Sequence, residues 1–270
     1  MTWISDVNPK EMSAVTYSTA PRDLGKGYEA RDYDSKPTGY YAPPYESQSL
    51  IPRQYWYEAA KHLEKSKSRL SDNAKMFMDV KSQGNTNYCW INGVAFACEL
   101  MRVLQGQQHI ELSPASGGSK IKGFKNKGGW GDQAAEFIEQ YGLVPESLWP
   151  ANAIDRRYDK QESWDEAVKF KIAQWNELKP KDLDSMITCL LRGLPVPCGF
   201  IWWRHLVCAV DVVVFAKPRS TSTKEMLRCF GVRIANSWGT DWGHEGYGIL
   251  KGSKMLADGQ LVIRSMRISA

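Results

Sequence analysis

Apolar residues at helical spacing predict that the first part of the chain is mainly helical. A helix is expected to begin at Cys89, because apolar side chains follow it at helical intervals and bury it on most sides. These side chains are Trp90, Val94, Ala97, Met101 and Leu104. Shorter helices are expected from Gln54 to about Leu70, among good helix formers, and from Gly131 to Gln140, ended by Gly142.

Beyond about Lys169 the pattern changes from helices to strands. Segments rich in valine and isoleucine alternate with turns, at Leu206 to Phe215, Cys229 to Asn236 and Tyr247 to Lys251. A curved antiparallel sheet or barrel is expected there. The chain as a whole is therefore predicted to have an α+β fold.

The first 50 or so residues have a different character. They are rich in tyrosine, proline, glycine and serine, they include Pro43-Pro44, and they show no sustained period of either kind. We expect an extended arm that does not fold alone. Ordering each residue costs about 1–2 kcal/mol, so the arm should gain order only by docking, either on its own body or, as we favour, on a partner.

Bulk composition indicates an ordinary globular protein. The chain has 270 residues, of which 43% are hydrophobic and 24% are charged, and this suits one or two packed domains. No apolar run approaches the roughly 20 residues that span a bilayer. Asp6, Lys10 and Glu11 stand where a signal peptide would be apolar, so we expect neither secretion by that route nor a membrane location.

Charge and cysteine spacing exclude two further classes of function. The formal net charge is +5, but Glu58 and Glu64 lie near the basic cluster from Lys61 to Arg69, as on a solvated helix face, so no nucleic-acid partner is expected. The cysteines lack the close pairs of a disulfide framework or zinc site, so we expect no metal, no cofactor and a reducing, cytoplasmic location. They are Cys89, Cys98, Cys189, Cys198, Cys208 and Cys229.

Three separated residues are candidates for one catalytic site. Cys89 opens a helix, His205 is a lone polar residue at an apolar strand, and Asn236 lies further along the chain. A thiol attacks a carbonyl as thiolate, so it needs a lowered pKa, an imidazole to take the proton and a group that fixes that imidazole. The three residues fill these roles in order, with the thiolate favoured by the positive end of the helix.

The residues around these positions resemble the papain-like cysteine proteases, peptidase family C1. Gln83-Gly-Asn-Thr-Asn-Tyr-Cys89-Trp90 is similar to the family's Gln-Gly-x-Cys-Gly-Ser-Cys-Trp block, and the run that begins Asn236-Ser-Trp-Gly is similar to its Asn-Ser-Trp-Gly block. Further likeness lies at Glu111-Leu-Ser and at Gly128-Gly-Trp. The resemblance spans roughly Gln83 to Lys251.

This resemblance implies a two-lobed fold. Its helical lobe contains a central helix that starts at the nucleophile, and its other lobe is an antiparallel, barrel-like sheet. The expected divisions are an arm at 1–50 and a papain-like domain at 51–270, with the helical lobe at about 81–165 and the β-rich lobe at about 166–270. The cleft should lie between Cys89 and His205 with Asn236.

The resemblance also implies an activity and a set of site residues. The expected activity is that of an endopeptidase that cleaves peptide bonds in peptides or proteins through an acyl-enzyme on Cys89. The Gln83 side chain would donate to the oxyanion. The expected substrate-binding residues are Gly128, Gly129, Trp130, Trp203 and Trp238; Trp238 would also shield the His205–Asn236 pair from water.

Several residues depart from the family pattern. Thr86 replaces a cysteine, and another cysteine is missing before Gly128, so one customary disulfide cannot form. Tyr88 and Trp203 are bulkier than their counterparts. We expect them to narrow the cleft and to restrict activity.

Two alternatives to a protease follow from the same residues. One is a structural or assembly component, such as part of a viral particle, that uses the fold as a module and binds an assembly partner through its N-terminal arm. The other is transglutaminase-like transfer, which shares the Cys-His logic. That reaction normally uses an aspartate as the third member, and Asn236 argues against it.

Overall fold

The computed structural model describes the backbone of residues 2–4 and the whole of residues 26–46 and 50–268. Eight α-helices and seven strands lie in these ranges. The helices are α1 (Trp56–Lys65), α2 (Leu70–Phe77), α3 (Cys89–Leu104), α4 (Pro114–Lys122), α5 (Gly131–Tyr141), α6 (Gln161–Ala167), α7 (Leu183–Leu191) and α8 (Thr223–Cys229). The rest of the predicted arm, residues 1, 5–25 and 47–49, lies outside the described residues.

The structure confirms the expected helix starts at Cys89 and Gly131. Helix α5 ends at Tyr141, where Gly142 takes a positive φ of 81° as the following residue. The helix expected from Gln54 to Leu70 is shorter than predicted, since α1 ends at Lys65 and a separate α2 begins at Leu70. Five helices were not predicted: α2, α4, α6, α7 and α8.

The strands form one seven-stranded sheet. They are β1 (Thr2–Ile4), β2 (Ile172–Leu178), β3 (Val196–Phe200), β4 (His205–Val214), β5 (Phe230–Ala235), β6 (Tyr247–Lys251) and β7 (Gly259–Met266). Their order in the sheet is β1-β6-β5-β4-β3-β7-β2. The three predicted strands, β4, β5 and β6, are confirmed to within a residue or so. The sheet is antiparallel except at one edge, where β1 pairs parallel with β6.

Helix α3 lies directly on strand β4, and this contact joins the helical half to the sheet. The close approach depends on Gly93, since a Cβ there would lie 2.5 Å from Leu206 Cδ2. Leu206 is the second residue of β4 and is fully packed. Because Cys89 and His205 are the first residues of these two elements, the contact brings the starts of both to one region of the molecule.

The described residues contain no helix that is both long and apolar enough to cross a membrane. Nor do they contain a group of three or more side chains of the kinds that hold a metal ion. All six cysteines are free thiols, so the disulfide that the sequence excluded has no replacement.

Candidate active site

Cys89 occupies the first turn of α3 and has no exposed surface. The preceding residue, Tyr88, packs its ring against Gly118, where a Cβ would come within 2.7 Å of it, and donates its hydroxyl to the carbonyl of Lys125 at 3.0 Å. Trp90 meets the same ring edge to face at 5.9 Å between centroids. The contacts of Tyr88 are thus with the helical half, where they fix the start of α3.

His205 is paired with Asn236 at the other side of the site. The imidazole Nε2 lies 2.7 Å from Asn236 Oδ1, and the same Oδ1 accepts the backbone N–H of Ser237 at 2.8 Å. Because this second contact identifies the amide atom as oxygen, the imidazole nitrogen facing it must carry the proton. Among the described residues, Nδ1 of His205 has no hydrogen-bond partner, so it is free to take a proton.

Tryptophan side chains enclose the imidazole. Trp238 lies over the ring with 4.5 Å between centroids and 30° between planes, and Trp203 meets it edge to face at 5.0 Å. Trp203 also stacks on Trp202, with 5.4 Å between centroids and 10° between planes. The predicted shield over the His205–Asn236 pair therefore consists of two indoles, which exclude water from it.

Gln83 ties the loop before Cys89 to the loop after Asn236. Its backbone N–H donates to the carbonyl of Ser237 at 2.8 Å, and the Ser237 hydroxyl donates to Gln83 Oε1 at 2.5 Å. The Gln83 side-chain nitrogen, the expected oxyanion donor, gives one hydrogen to the Thr86 carbonyl at 2.7 Å. Gln83 is fully buried, so its amide is held in one orientation.

The N-terminal arm passes through the cleft and touches the sulfur of Cys89. The backbone N–H of Gly27 points at Cys89 Sγ, 3.2 Å away. The next residues pair with Gly129 in a short parallel bridge: Gly129 N–H donates to the Gly27 carbonyl at 2.9 Å, and Glu29 N–H donates to the Gly129 carbonyl at 3.3 Å. On the opposite side, Tyr28 N–H donates to the Arg204 carbonyl at 3.1 Å.

The glycines expected to bind substrate backbone lie against the backbone of the arm. A Cβ on Gly128 would be 2.5 Å from the Gly27 carbonyl oxygen, so only glycine permits this approach. Trp130, expected on the same wall, directly precedes α5. The ammonium group of Lys36, from the arm, lies 4.7 Å from the centroid of its ring. The arm thus lies on three of the predicted substrate-binding residues.

Tyr28 fills a pocket beside the sulfur that sequence reasoning missed. A Cβ on Gly199 would lie 2.2 Å from the Tyr28 ring, and one on Gly259 would lie 2.3 Å from its hydroxyl. The tyrosine is buried, and it borders a small cavity together with Asp132, Pro197, Leu206 and Leu261. Since these residues come from distant parts of the chain, no local motif marks the pocket.

Burial reverses the expected ionisation of Cys89 and His205. Removal from water raises the pKa of the Cys89 thiol to about 11, although nearby backbone N–H groups oppose the rise. Removal from water also lowers the pKa of His205 to about 4. The lowered thiol pKa predicted from the helix end is therefore not found in this form, in which thiol and imidazole are both neutral near pH 7.

Comparison with known proteins identifies the family. The family model described as "Papain family cysteine protease" matches residues 65–266. A cathepsin L-like proteinase of Fasciola hepatica is 23% identical over 188 residues, covering 63% of this chain and 55% of that protein. A cysteine protease of Blomia tropicalis is 25% identical over 197 residues, covering 64% and 57%. This chain thus spans a little over half the length of these relatives.

Solved structures share the fold at low sequence identity. Xylellain, a cysteine protease from Xylella fastidiosa, is 20% identical with a TM-score of 0.63, covering 93% of this chain and 100% of that one. Digestive procathepsin L 3 of Tenebrio molitor is 17% identical with a TM-score of 0.58, covering 90% and 83%. The expected α+β, papain-like fold is confirmed.

The neutral state of Cys89 gives a spectroscopic prediction. A thiol whose folded-state pKa is about 11 stays protonated as pH rises past the ordinary thiol value of about 8.5. The difference in thiolate ultraviolet absorbance between the native chain and Cys89→Ser should therefore stay near zero from about pH 6 to 9. A full thiolate signal already present at neutral pH would contradict the buried, uncharged state.

Proposed function

The chain belongs to the papain family of cysteine proteases, and on this basis we propose that it is a thiol-dependent endopeptidase held latent by its own N-terminal arm. The observation that carries the proposal is the contact between Gly27 N–H and Cys89 Sγ. A polypeptide backbone crosses the cleft at the sulfur there, which supports polypeptide as the substrate class. The chain that crosses it belongs to the enzyme itself.

The proposed reaction uses Cys89, His205 and Asn236. When the cleft is open, His205 Nδ1 takes the thiol proton, and the sulfur attacks the carbonyl carbon of a peptide bond. The oxyanion accepts hydrogen bonds from the Cys89 backbone N–H, at the start of α3, and from the Gln83 side chain. His205 then gives its proton to the leaving amine, water attacks the acyl-enzyme with His205 as base, and the free thiol returns.

Asn236 acts on this reaction through His205. Its Oδ1 accepts the Nε2 proton at 2.7 Å, which directs the basic Nδ1 away from Asn236 and holds the ring in one orientation. Trp238 covers the pair and lowers the polarity around it. These two residues therefore position the base.

The arm lies in the cleft in a way that prevents its own cleavage. The group facing Cys89 Sγ is an N–H donor, whereas attack requires a carbonyl carbon at that place. The carbonyl of Gly27 is instead bonded to the Gly129 N–H. We therefore treat residues 26–46 as an inhibitor in cis and not as a bound substrate.

The same contacts bear on the two other expectations for activity and partners. From the sequence we expect the bulk of Tyr88 and Trp203 to restrict activity. The Tyr88 side chain packs within the helical half, and this favours the arm as the cause of any restriction. An assembly partner for the arm, the alternative role, would have to displace the contacts that residues 26–46 make with their own body. The six free thiols suit the proposed reducing, cytoplasmic location.

Latency is tested by a substitution that dislodges the arm alone. A Cβ on Gly27 would lie 1.8 Å from the backbone oxygen of Asn87, so Gly27→Ala cannot be accommodated in the docked position. We expect this variant to hydrolyse peptides at least about tenfold faster than the native chain, because such overpacking typically costs about 1–3 kcal/mol. Ala30→Val, at an exposed position of the arm, should leave the rate unchanged. Equal rates for Gly27→Ala and the native chain would contradict latency.

Catalysis is tested in the same Gly27→Ala background. Adding Cys89→Ala should lower turnover of a peptide library by at least about 10⁴-fold, since loss of the nucleophile removes covalent catalysis. Cys98→Ala, at another fully buried cysteine of α3, should keep most of the activity. Cleavage that survives the loss of Cys89 would reject the proposed reaction.

A further inference from the structure

Arg31, in the arm, makes hydrogen bonds to two carboxylates and two backbone carbonyls. Its Nη1 donates to Asp132 Oδ2 at 2.8 Å, and its Nη2 lies 3.3 Å from Glu177 Oε2. The Nε and Nη2 atoms also donate to the backbone carbonyls of Lys36 at 2.9 Å and Pro37 at 2.6 Å. The side chain is only 2% exposed.

Two aromatic rings pack near the guanidinium. The ring centroid of Tyr33 lies 4.7 Å from the Arg31 Cζ and that of Tyr41 lies 4.9 Å from it. Both tyrosines belong to the arm. The arm therefore folds around Arg31, and the acidic partners come from the body.

The two carboxylates belong to different parts of the body. Asp132 is the second residue of α5, in its first turn, and Glu177 is the sixth residue of β2. Both are buried. Burial, and then the charge of Glu177, raise the pKa of Asp132 to about 6, while Arg31 opposes the rise. Without a cation between them, two buried carboxylates at this place would lower the stability of the fold.

Glu177 holds the arm at further points. Its Oε2 accepts the N–H of Gly39 at 2.6 Å and its Oε1 accepts the N–H of Tyr41 at 2.9 Å. Its backbone pairs with the arm as well, since its carbonyl accepts from Tyr45 N–H at 2.9 Å and its N–H donates to the Pro43 carbonyl at 3.2 Å. Side chain and backbone of Glu177 thus both hold the arm.

We propose that Asp132 and Glu177 form a guanidinium-binding site, outside the catalytic triad, that locks the arm in the cleft through Arg31. The planar fork of arginine matches two carboxylates and two carbonyls at once, which a lysine ammonium cannot do from one position. The inference rests on the proposed latency, for which it names the holding contact. The lock holds the segment that contacts the sulfur, because Arg31 is four residues from Gly27 and Asp132 borders the same small cavity as Tyr28.

The experiment measures how fast a small thiol reagent alkylates Cys89 in the full-length chain, with the site mapped by mass spectrometry. Arg31→Ala should raise the rate by on the order of 100-fold or more, because loss of one partner leaves buried charges uncompensated. Arg31→Lys keeps the charge but loses the fork, so its rate should lie between those of the native chain and Arg31→Ala. Arg53→Ala removes an arginine paired with Asp184 far along the chain and should react at the native rate.

Two controls separate opening of the arm from general unfolding. The other five cysteines are all buried, so a chain that opens only at the cleft is labelled at Cys89 and not at Cys98 or the rest. Asp132→Asn should also speed labelling. The double variant should increase the labelling rate by less than the product of the two single-variant increases, because both substitutions break the same contact.

Three outcomes would overturn the site. They are a native labelling rate in Arg31→Ala, a native rate in Arg31→Lys alongside a fast Arg31→Ala, and independent, multiplying effects of Asp132→Asn and Arg31→Ala. The readout needs no turnover. If Arg31→Ala exposes Cys89 but cleaves no peptide, the lock stands and the proposed protease activity fails; if Arg31→Ala stays closed while Gly27→Ala is active, the protease stands and the lock fails.

Discussion

The hydrogen bond from the Gly27 backbone to the Cys89 sulfur is the contact on which the state of this protein depends. It places a polypeptide across the cleft at the sulfur, while Trp203 and Trp238 enclose the imidazole. Burial raises the pKa of the thiol and lowers the pKa of the imidazole, so proton transfer between them is unfavourable. Burial and ionisation are therefore coupled: the sulfur that the arm contacts belongs to a neutral thiol.

The fold supports this coupling by bringing together elements that are far apart in sequence. Helix α3 presents Cys89, strand β4 presents His205, and Gly93 lets these two elements touch. Gln83 and Ser237 then join the loops on either side. The arm crosses between the two walls. Gly27 and Glu29 form backbone hydrogen bonds with Gly129 on one wall, and Tyr28 N–H donates to the Arg204 carbonyl on the other. Both walls hold the arm. To leave the cleft, it must break its backbone hydrogen bonds, withdraw the Tyr28 side chain from its pocket and release the Arg31 contacts.

The parts predicted from sequence were those with a local signal. The helix at Cys89 was predicted because its apolar period is strong, and His205 and Asn236 were found from their chemistry and surrounding motifs. Helix α7 (Leu183–Leu191) was missed because it lies in a region of strands. Its apolar residues form a short segment that periodicity alone does not distinguish from a buried strand. Helix α4 contains Gly117 and Gly118, which disfavour a helix, and it forms because Ser113 caps it and Gly123 ends it. The docking of Tyr28 and Arg31 depends on partners more than 100 positions away, such as Asp132, so no local pattern revealed it.

Amide hydrogen exchange over residues 26–31 tests the central claim most directly. If the arm lies in the cleft, the amides of Gly27, Tyr28 and Glu29 exchange far more slowly than those of an unstructured peptide, because each donates to Cys89, Arg204 or Gly129. The amides of α3 serve as the reference for an intact body. Exchange of residues 26–31 at the unstructured rate, with α3 still protected, would contradict a cleft closed by its own arm.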